Sequence, residues 1–278
     1  MSTSTVQPAD QGVAQHYPVV HPVTLPRVLH SEWIKLRSLR STKLTLAVAI
    51  LLMAGVGVLT AAITANQWSR LTAANRASFD PVSIVLGGHT FAQLAIGVLG
   101  VLMVSGEYST GMIRATLTAV PKRLPVLTAK AGVFAAVTLV AMTAASFVAF
   151  VCGKALLSSH MQVSLASAGV ARAVIGAALY LTLVGLLGVS LGTLLRNTAG
   201  AIASLLGVLI FLPLLANLLP SSISNHLTPY LPSNAGGALL NVHQQAGSLA
   251  PWAGFAVMCA YAVAALAAAA WVLKRRDA

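Results

Sequence analysis

The chain has 278 residues, of which 57% are hydrophobic and only 8% are charged, whereas a soluble globular domain carries about 25% charged residues. This composition excludes an ordinary soluble fold and predicts a polytopic membrane protein. The 17 Lys and Arg residues outnumber the 5 Asp and Glu residues and give a net charge of +12. These cations lie mainly at the ends of apolar runs, which favours topology signals and lipid headgroup contacts over a nucleic-acid partner.

The N-terminal region divides into two parts. Residues 1–22 are polar and show no apolar periodicity, so a disordered cytoplasmic tail is predicted. In residues 23–43, by contrast, apolar side chains recur at helical spacing. This apolar stripe consists of Leu25, Val28, Leu29, Trp33, Leu36 and Leu39.

The stripe predicts an amphipathic helix lying in the membrane interface, with Trp33 at headgroup depth. The residues expected at the interface are Trp33, Lys35, Arg37 and Arg40. Glu32 falls within the stripe and could pair with Lys35 one turn on. The periodicity alone would also fit an ordinary cytosolic helix end, but the tryptophan and the cations favour the interface.

Six apolar runs follow, each close to the roughly 20 residues that cross the hydrocarbon core. The predicted spans are residues 44–65, 82–105, 126–151, 173–195, 199–219 and 252–273. Between the last two, residues 220–251 are interrupted by prolines and glycines, and we expect short helices that dip into the outer leaflet. The predicted fold class is an all-α integral membrane protein with six transmembrane helices after one interfacial helix.

Lysine and arginine divide unequally between the two sides of these spans. One side has twelve: Arg27, Lys35, Arg37, Arg40, Lys43, Arg114, Lys122, Arg123, Arg196, Lys274, Arg275 and Arg276. The other side has four: Arg70, Arg76, Lys154 and Arg172. Lys130 lies inside the third predicted span, near its cytoplasmic end, and completes the 17. Because positive charge accumulates on the cytoplasmic side, both termini and the loop of residues 106–125 are predicted to be cytoplasmic.

Motifs for catalysis are absent from the sequence. It contains no Gly-x4-Gly-Lys-Ser/Thr phosphate loop, no His-Glu-x-x-His and no Gly-x-Ser-x-Gly. Cys152 and Cys259 lie in apolar runs without metal or disulfide spacing. All five acids lie at the ends of the predicted spans or outside them. A proton-coupled carrier usually places an ionisable group in mid-membrane, so this distribution argues against one. We therefore expect no catalytic residue, no metal site and no ATP hydrolysis by this chain.

Two of the polar side chains in the second predicted span lie on one face of the helix. His89 and Gln93 are one turn apart and share a face. They could line a substrate path, or they could make an interhelical hydrogen bond between packed helices. Gly185, Gly188 and Gly192 in the fourth span predict close helix packing.

The loop of residues 106–125 predicts a short amphipathic helix. Gly106 and Gly111 are expected to break the preceding helix, and Ser109 or Thr110 to cap the next one, which Pro121 ends. Its apolar face contains Met112, Ile113, Thr116, Leu117 and Val120, with Arg114 off that face. Such a helix could insert into a groove on another protein or lie on lipid headgroups.

Four segments resemble the membrane subunit of ABC-2 type exporters, particularly actinobacterial permeases. They are HSEWIKLRSLRSTKLTL (30–46), GEYSTGMIRATLTAVPKR (106–123), LRNTAGAI (195–202) and YLPSNAGGAL (230–239). The resemblance is based on the order of these segments and on their positions relative to the six spans. It covers nearly all of the chain after Arg27. It implies an elbow helix before the first span and a coupling helix after the second, in a bacterial plasma membrane.

The resemblance also implies partners. Family members combine two membrane subunits, identical or paralogous, with two separate ABC ATPase subunits that carry ATP and Mg²⁺, so no cofactor is expected on this chain. The family's loop motif falls on Glu107, Tyr108, Gly111, Ile113 and Arg114; with Met112 and Leu117 these are the predicted ATPase-coupling residues. We expect Ile113 and Leu117 to insert into the ATPase groove, and Glu107 and Arg114 to set the loop's shape and charge contacts.

The sequence leaves two function hypotheses. The first is a permease subunit that exports an amphipathic or hydrophobic substrate, such as a drug, peptide or lipid, by coupling to an ATPase. The second is an ATP-independent polytopic membrane protein, either a secondary carrier or a sensor or assembly factor.

Overall fold

The computed structural model describes residues 24–77, 79–120, 123–159, 163–245 and 247–275. The predicted disordered tail and Pro121 lie outside this part of the chain. Within it the chain is helical without a strand, and six helical segments are long and apolar enough to cross a membrane. The predictions of a helical fold and of six helices that could span a membrane are therefore confirmed.

The predicted helix over residues 23–43 is divided at Leu39. Helix α1, Leu25–Ser38, begins with a proline in its first turn and ends at Leu39, whose backbone is extended. Helix α2, Arg40–Gln67, then starts at once and continues as the first span. The buried positions of α1 are Val28, Glu32 and Leu36, spaced four residues apart. This face packs on the third span and on the beginning of α2.

The second predicted span is broken near its start, where the sequence predicts one continuous helix. Helix α3, Ala73–Ala77, lies in the preceding connection; α4, Pro81–Leu86, and α5, His89–Ser109, together form the span. A Cβ at Gly88 would lie 2.2 Å from the carbonyl oxygen of Met53. The break therefore occurs where the backbone approaches α2 more closely than any side chain would allow.

The connection after α5 turns at only one of the two predicted glycines. Gly106 stays within α5, whereas Gly111 adopts φ +71° and precedes helix α6, Met112–Ala119. The predicted caps are absent, because the hydroxyls of Ser109 and Thr110 donate to the Gly106 carbonyl oxygen at 3.0 and 2.9 Å. The left-handed glycine thus makes the reversal, a conformation that L side chains rarely adopt.

The remaining spans surround α8. Helix α7, Arg123–Leu157, exceeds its predicted span at both ends, and α8, Val170–Leu195, is the most enclosed of the six. Helix α8 packs against α5, α7 and the final span. A Cβ at Gly188 would lie 2.2 Å from the Gly97 carbonyl oxygen, so small residues bring α8 and α5 together as predicted.

The C-terminal part contains the last two spans and the segment between them. The fifth span comprises α9, Thr198–Leu206, the π-helical Gly207–Phe211 and α10, Leu212–Ala216. The connecting segment contains α11, Ser221–Leu227, and α12, Pro232–Gly237, with 3-10 turns at Thr228–Tyr230 and Ala238–Leu240. The final span is α13, Pro251–Arg275. The connecting segment consists of short helices, as predicted, and its second half packs on α8 and α13.

Candidate functional site

Four charged side chains meet at the end of the bundle where α1 and α6 lie. This ionic cluster consists of Glu32 and Lys35 from α1, Glu107 from α5 and Lys130 from α7. Each lysine contacts both glutamates, so the cluster pairs two positive with two negative charges. It brings together helices that are up to 98 residues apart in the chain.

The hydrogen bonds of the cluster are short and converge on the two lysines. The Lys130 ammonium donates to Glu32 Oε2 at 2.7 Å and to Glu107 Oε1 at 2.9 Å. The Lys35 ammonium donates to Glu32 Oε1 at 2.8 Å and to Glu107 Oε1 at 3.1 Å. Lys35 also donates to Thr116 Oγ1 on α6 at 3.3 Å. The cluster therefore links α1, α5, α6 and α7.

Three of the four charged residues are almost completely removed from solvent. Glu32 is 0% exposed, Lys130 3% and Glu107 6%, whereas the Lys35 side chain is 27% exposed. A buried charge is costly unless it is paired and hydrogen-bonded. The mutual neutralisation of the cluster makes this burial possible, and each member depends on the others.

The α1 members of the cluster are held ionised by their neighbours. Burial by itself raises the pKa of Glu32, but the ammonium groups of Lys130 and Lys35 outweigh it and hold that pKa below its ordinary value. Burial likewise lowers the pKa of Lys35, but Glu32 and Glu107 outweigh it and the pKa is raised. Both groups are therefore charged at neutral pH.

Sequence reasoning anticipated part of this cluster. The predicted pair of Glu32 and Lys35 is present. Lys35 was expected at the lipid headgroups, but its ammonium turns inward to the two glutamates. The sequence pattern predicts no specific partner for Lys130, although a lysine within an apolar run indicates that a partner acid lies nearby.

The other interface residues face outward. Trp33 is 45% exposed, and Arg37 and Arg40 are exposed as well. Their placement on the outer face of α1 and at the start of α2 fits the interface role predicted for them.

The predicted ATPase-coupling residues separate into buried and exposed groups. Glu107 belongs to the ionic cluster, and half-buried Tyr108 lies under the guanidinium of Arg196, 5.2 Å from the ring centroid. Met112 is 42% exposed, and Arg114 is exposed. Gly111 makes the turn described above.

Ile113 lies on the inner side of α6. It is only 6% exposed and lines a small pocket with Val104 and Val126. The prediction that Ile113 inserts into a partner's groove does not fit this placement, because its side chain already packs within the chain. The outward surface of α6 instead carries Met112, Arg114, Ala115, Thr118 and Ala119. The side chain of Leu117 lies outside the described residues.

His89 and Gln93 have different surroundings although they share a face. Gln93 is buried, and its Oε1 accepts a hydrogen bond from the hydroxyl of Tyr180 on α8. This contact fits the packing interpretation for Gln93. The Nδ1 of His89 lies 2.8 Å from the Leu86 carbonyl oxygen. His89 also lines a cavity of about 590 Å³ beside α11 and α12, at the opposite end of the bundle from the ionic cluster.

No group of three metal-ligating side chains occurs within the described part of the chain. Comparison with protein-family models and with curated proteins found no match to this chain.

Proposed function

We propose that this chain is the membrane subunit of an ATP-driven exporter of the ABC-2 type, working with a separate ATPase subunit. The observation that supports this proposal best is the ionic cluster, because it connects a short helix outside the bundle to two spanning helices. In the proposed arrangement α6 and α1 face the cytoplasm, where α6 contacts the ATPase. The substrate would be amphipathic or hydrophobic.

The connection gives a mechanical reason for the cluster. The hydroxyl of Thr116 on α6 accepts from Lys35, and Lys35 shares both glutamates with Lys130 on α7. A displacement of α6 would be passed to α5 and α7 through the hydrogen bond from Lys35 to Thr116 and then through the ion pairs of the cluster. Packed elements of this kind move as units.

The surface of α6 is suited to a protein partner. The helix projects an exposed methionine, Met112, beside the cation Arg114. Amphipathic helices of this kind bind grooves on other proteins through a few apolar anchors. ATP and Mg²⁺ would bind the partner, since this sequence has no phosphate loop.

A second membrane subunit is part of the proposal. Helices α2, α9 and α13 leave most of their span surface uncovered within the chain. The C-terminal part of the fifth span exposes Leu212, Leu214 and Leu215. Lipid and a second permease copy, identical or paralogous, would cover these faces.

The proposal predicts that a charge on the outer face of α6 uncouples the ATPase. We would purify the chain with a candidate ATPase subunit and compare Met112→Asp with Ile223→Asp. Ile223 is 53% exposed and lies on α11 at the opposite end, so it controls for adding a carboxylate to an exposed apolar site. Met112→Asp should abolish stable assembly and substrate-stimulated ATP hydrolysis, while Ile223→Asp retains both. Unchanged assembly and hydrolysis with Met112→Asp would refute the docking role of α6.

The second candidate is an ATP-independent carrier. Glu107 and Lys130 are buried within spanning helices of the bundle. This burial favours a carrier, because carriers place ionisable groups within their transmembrane segments. Transport into vesicles by the purified chain alone, without ATP or an ATPase, would favour the carrier over the exporter.

A further inference from the structure

A polar cavity of about 590 Å³ lies at the end of the bundle opposite the ionic cluster. Its volume falls within the range of small-molecule sites, roughly 300–1,000 Å³. Four parts of the chain surround it: the break between α4 and α5, the end of the fifth span, the helices α11 and α12, and the connection before α13. Interrupted backbone in a spanning helix is tolerated where it lines a cavity, so the position of the break fits a binding site here.

The wall of this cavity is rich in neutral hydrogen-bonding groups. Four of the seven asparagines in the chain line it, together with one glutamine. In a chain that is 57% hydrophobic, these amides are thus concentrated at one place. The amide residues are Asn217, Asn225, Asn234, Asn241 and Gln245. The hydroxyl residues are Ser83, Ser224, Thr228, Ser233 and Ser248.

The amides are accessible to a ligand, and four of the five have no partner in the described part of the chain. Asn217, Asn225 and Gln245 are exposed, and Asn241 is half-buried. Their side chains make no hydrogen bond to another described residue, whereas the Asn234 amide donates to a backbone carbonyl oxygen at 2.9 Å. A carboxamide has two N–H donors and an acceptor oxygen. The four unpartnered amides can therefore bind a ligand without breaking a hydrogen bond to the described residues.

The cavity has no charged group among its described lining residues. None of them is Lys, Arg, Asp or Glu, and His89 is the one titratable side chain. Residues 197–273 contain no Lys, Arg, Asp or Glu at all, although the net charge of the chain is +12. An ionised ligand would lose water in this cavity without gaining an ion pair, which is unfavourable. The wall instead suits a neutral ligand that both donates and accepts hydrogen bonds.

We propose that this cavity binds a neutral saccharide. The hydroxyls of a sugar both donate and accept, and two adjacent hydroxyls match the donor and the acceptor of one carboxamide. The C–H surface of the sugar ring lies against Pro229 and Leu249, which are half-buried lining residues. A peptide fits less well, because the described part of the chain has no strand edge to pair with a peptide main chain.

The saccharide is either the head of a glycolipid in the bilayer or a free sugar from the aqueous phase. Both present the same neutral hydroxyls to the wall. Binding requires this chain alone, so the inference does not depend on an ATPase partner.

Asn217 and Asn225 provide a way to weaken the site while leaving the fold intact. Both are exposed, and neither side chain bonds to another described residue. The double variant Asn217→Leu with Asn225→Leu therefore leaves no described group unpaired. Asn66→Leu is the matched control, because Asn66 is exposed on α2 and is not among the residues that line the cavity.

The test compares sugar heads that differ only in one carboxylate. The chain in a polyoxyethylene detergent, at about 0.15 M salt to screen its net charge, would be titrated with glucosyl dioleoylglycerol or glucuronosyl dioleoylglycerol and followed by native mass spectrometry. Methyl glucoside and methyl glucuronide form the free-sugar arm, followed by saturation-transfer NMR. In at least one arm the neutral head should bind about tenfold more tightly or better. The double variant should weaken that binding about fivefold or more, and Asn66→Leu should leave it unchanged.

The two arms identify the source of the ligand. Selective binding of the glucosyl lipid assigns the site to a membrane glycolipid, and selective binding of methyl glucoside alone assigns it to a free sugar. Equal or tighter binding of the carboxylate heads in both arms overturns the proposal, as does undiminished binding by the double variant. Binding of an uncharged blocked tripeptide, N-acetyl-Ser-Gly-Ser amide, in preference to methyl glucoside also overturns it. Because the head comparison uses the unmodified chain, it decides the question even if the double variant fails to fold.

Discussion

Lys130 is a buried cation on the spanning helix α7. Its two carboxylate partners come from α1 and α5. Its ammonium contacts Glu32 and Glu107 at 2.7 and 2.9 Å while the residue is only 3% exposed. Charged residues at such depth are retained only when they are paired. The chain has only five acids in total, and two of them serve this one site.

Replacing Lys130 should therefore destabilise the folded chain strongly. Lys130→Met leaves two buried carboxylates with Lys35 alone, and breaking a buried pair costs about 3–5 kcal/mol. Titration with dodecyl sulfate in mixed micelles would measure the free energy of unfolding. Lys154→Met is the control, because Lys154 is exposed near the other end of the same helix. Equal losses for the two variants would contradict the structural role of the cluster.

The ionic cluster also predicts how stability depends on pH. Because the folded pKa of Glu32 is below its ordinary value of 4.5, its contribution is fully present above that value and is lost as pH falls through the folded pKa. The melting temperature in detergent should thus decrease below about pH 4.5. Glu32→Gln removes this titration, so its melting temperature should fall less steeply over the same pH range. Identical pH profiles would argue against the ion pairs of Glu32.

At the scale of elements, α6 is the part whose orientation depends most on local backbone geometry. It follows a reversal at Gly111 and is held to α1 by the bond from Lys35 to Thr116. A sequence pattern identifies the amphipathic face of such a helix. It does not reveal whether that face packs within the chain or binds a partner, and the side of α6 that carries Ile113 packs within the chain.

Two glycines five residues apart should respond oppositely to alanine. Gly111 has φ +71°, so Gly111→Ala should cost about 1–2 kcal/mol of folding free energy. Gly106 lies inside α5 with open space at its Cβ, so Gly106→Ala should be neutral or should stabilise by up to about 1 kcal/mol. Unfolding in mixed micelles would measure both. If Gly111→Ala proved as stable as Gly106→Ala, α6 would not depend on this turn.

At the scale of the whole molecule, much of the architecture is predictable because the bilayer limits the choices. A long apolar run must be helical and about 20 residues long, and all six runs form such helices. The divisions at Leu39 and at Gly87 and Gly88 are not predictable in this way. The second of these arises from contact with α2, a tertiary approach that residue order does not specify.

In the candidate site, too, the sequence pattern predicts that some residues need a partner, but only tertiary packing determines which partner they have. Glu32 within an apolar stripe and Lys130 within an apolar run each signal a partner, because an unpaired charge there is too costly. Their proximity follows only from the packing of α1 on α7. Likewise, the sequence identifies Gln93 as a polar residue within a span. It does not identify the partner, because Tyr180 is 87 residues away in the chain.

The central claim is that the outer face of α6 contacts an ATPase subunit. The most direct measurement places a photo-crosslinking amino acid at position 112 or 223 and irradiates the chain mixed with a candidate ATPase subunit. The account predicts a crosslinked product from position 112, increased when ATP is bound, and none from position 223. The absence of a product from position 112, or equal products from both positions, would contradict it.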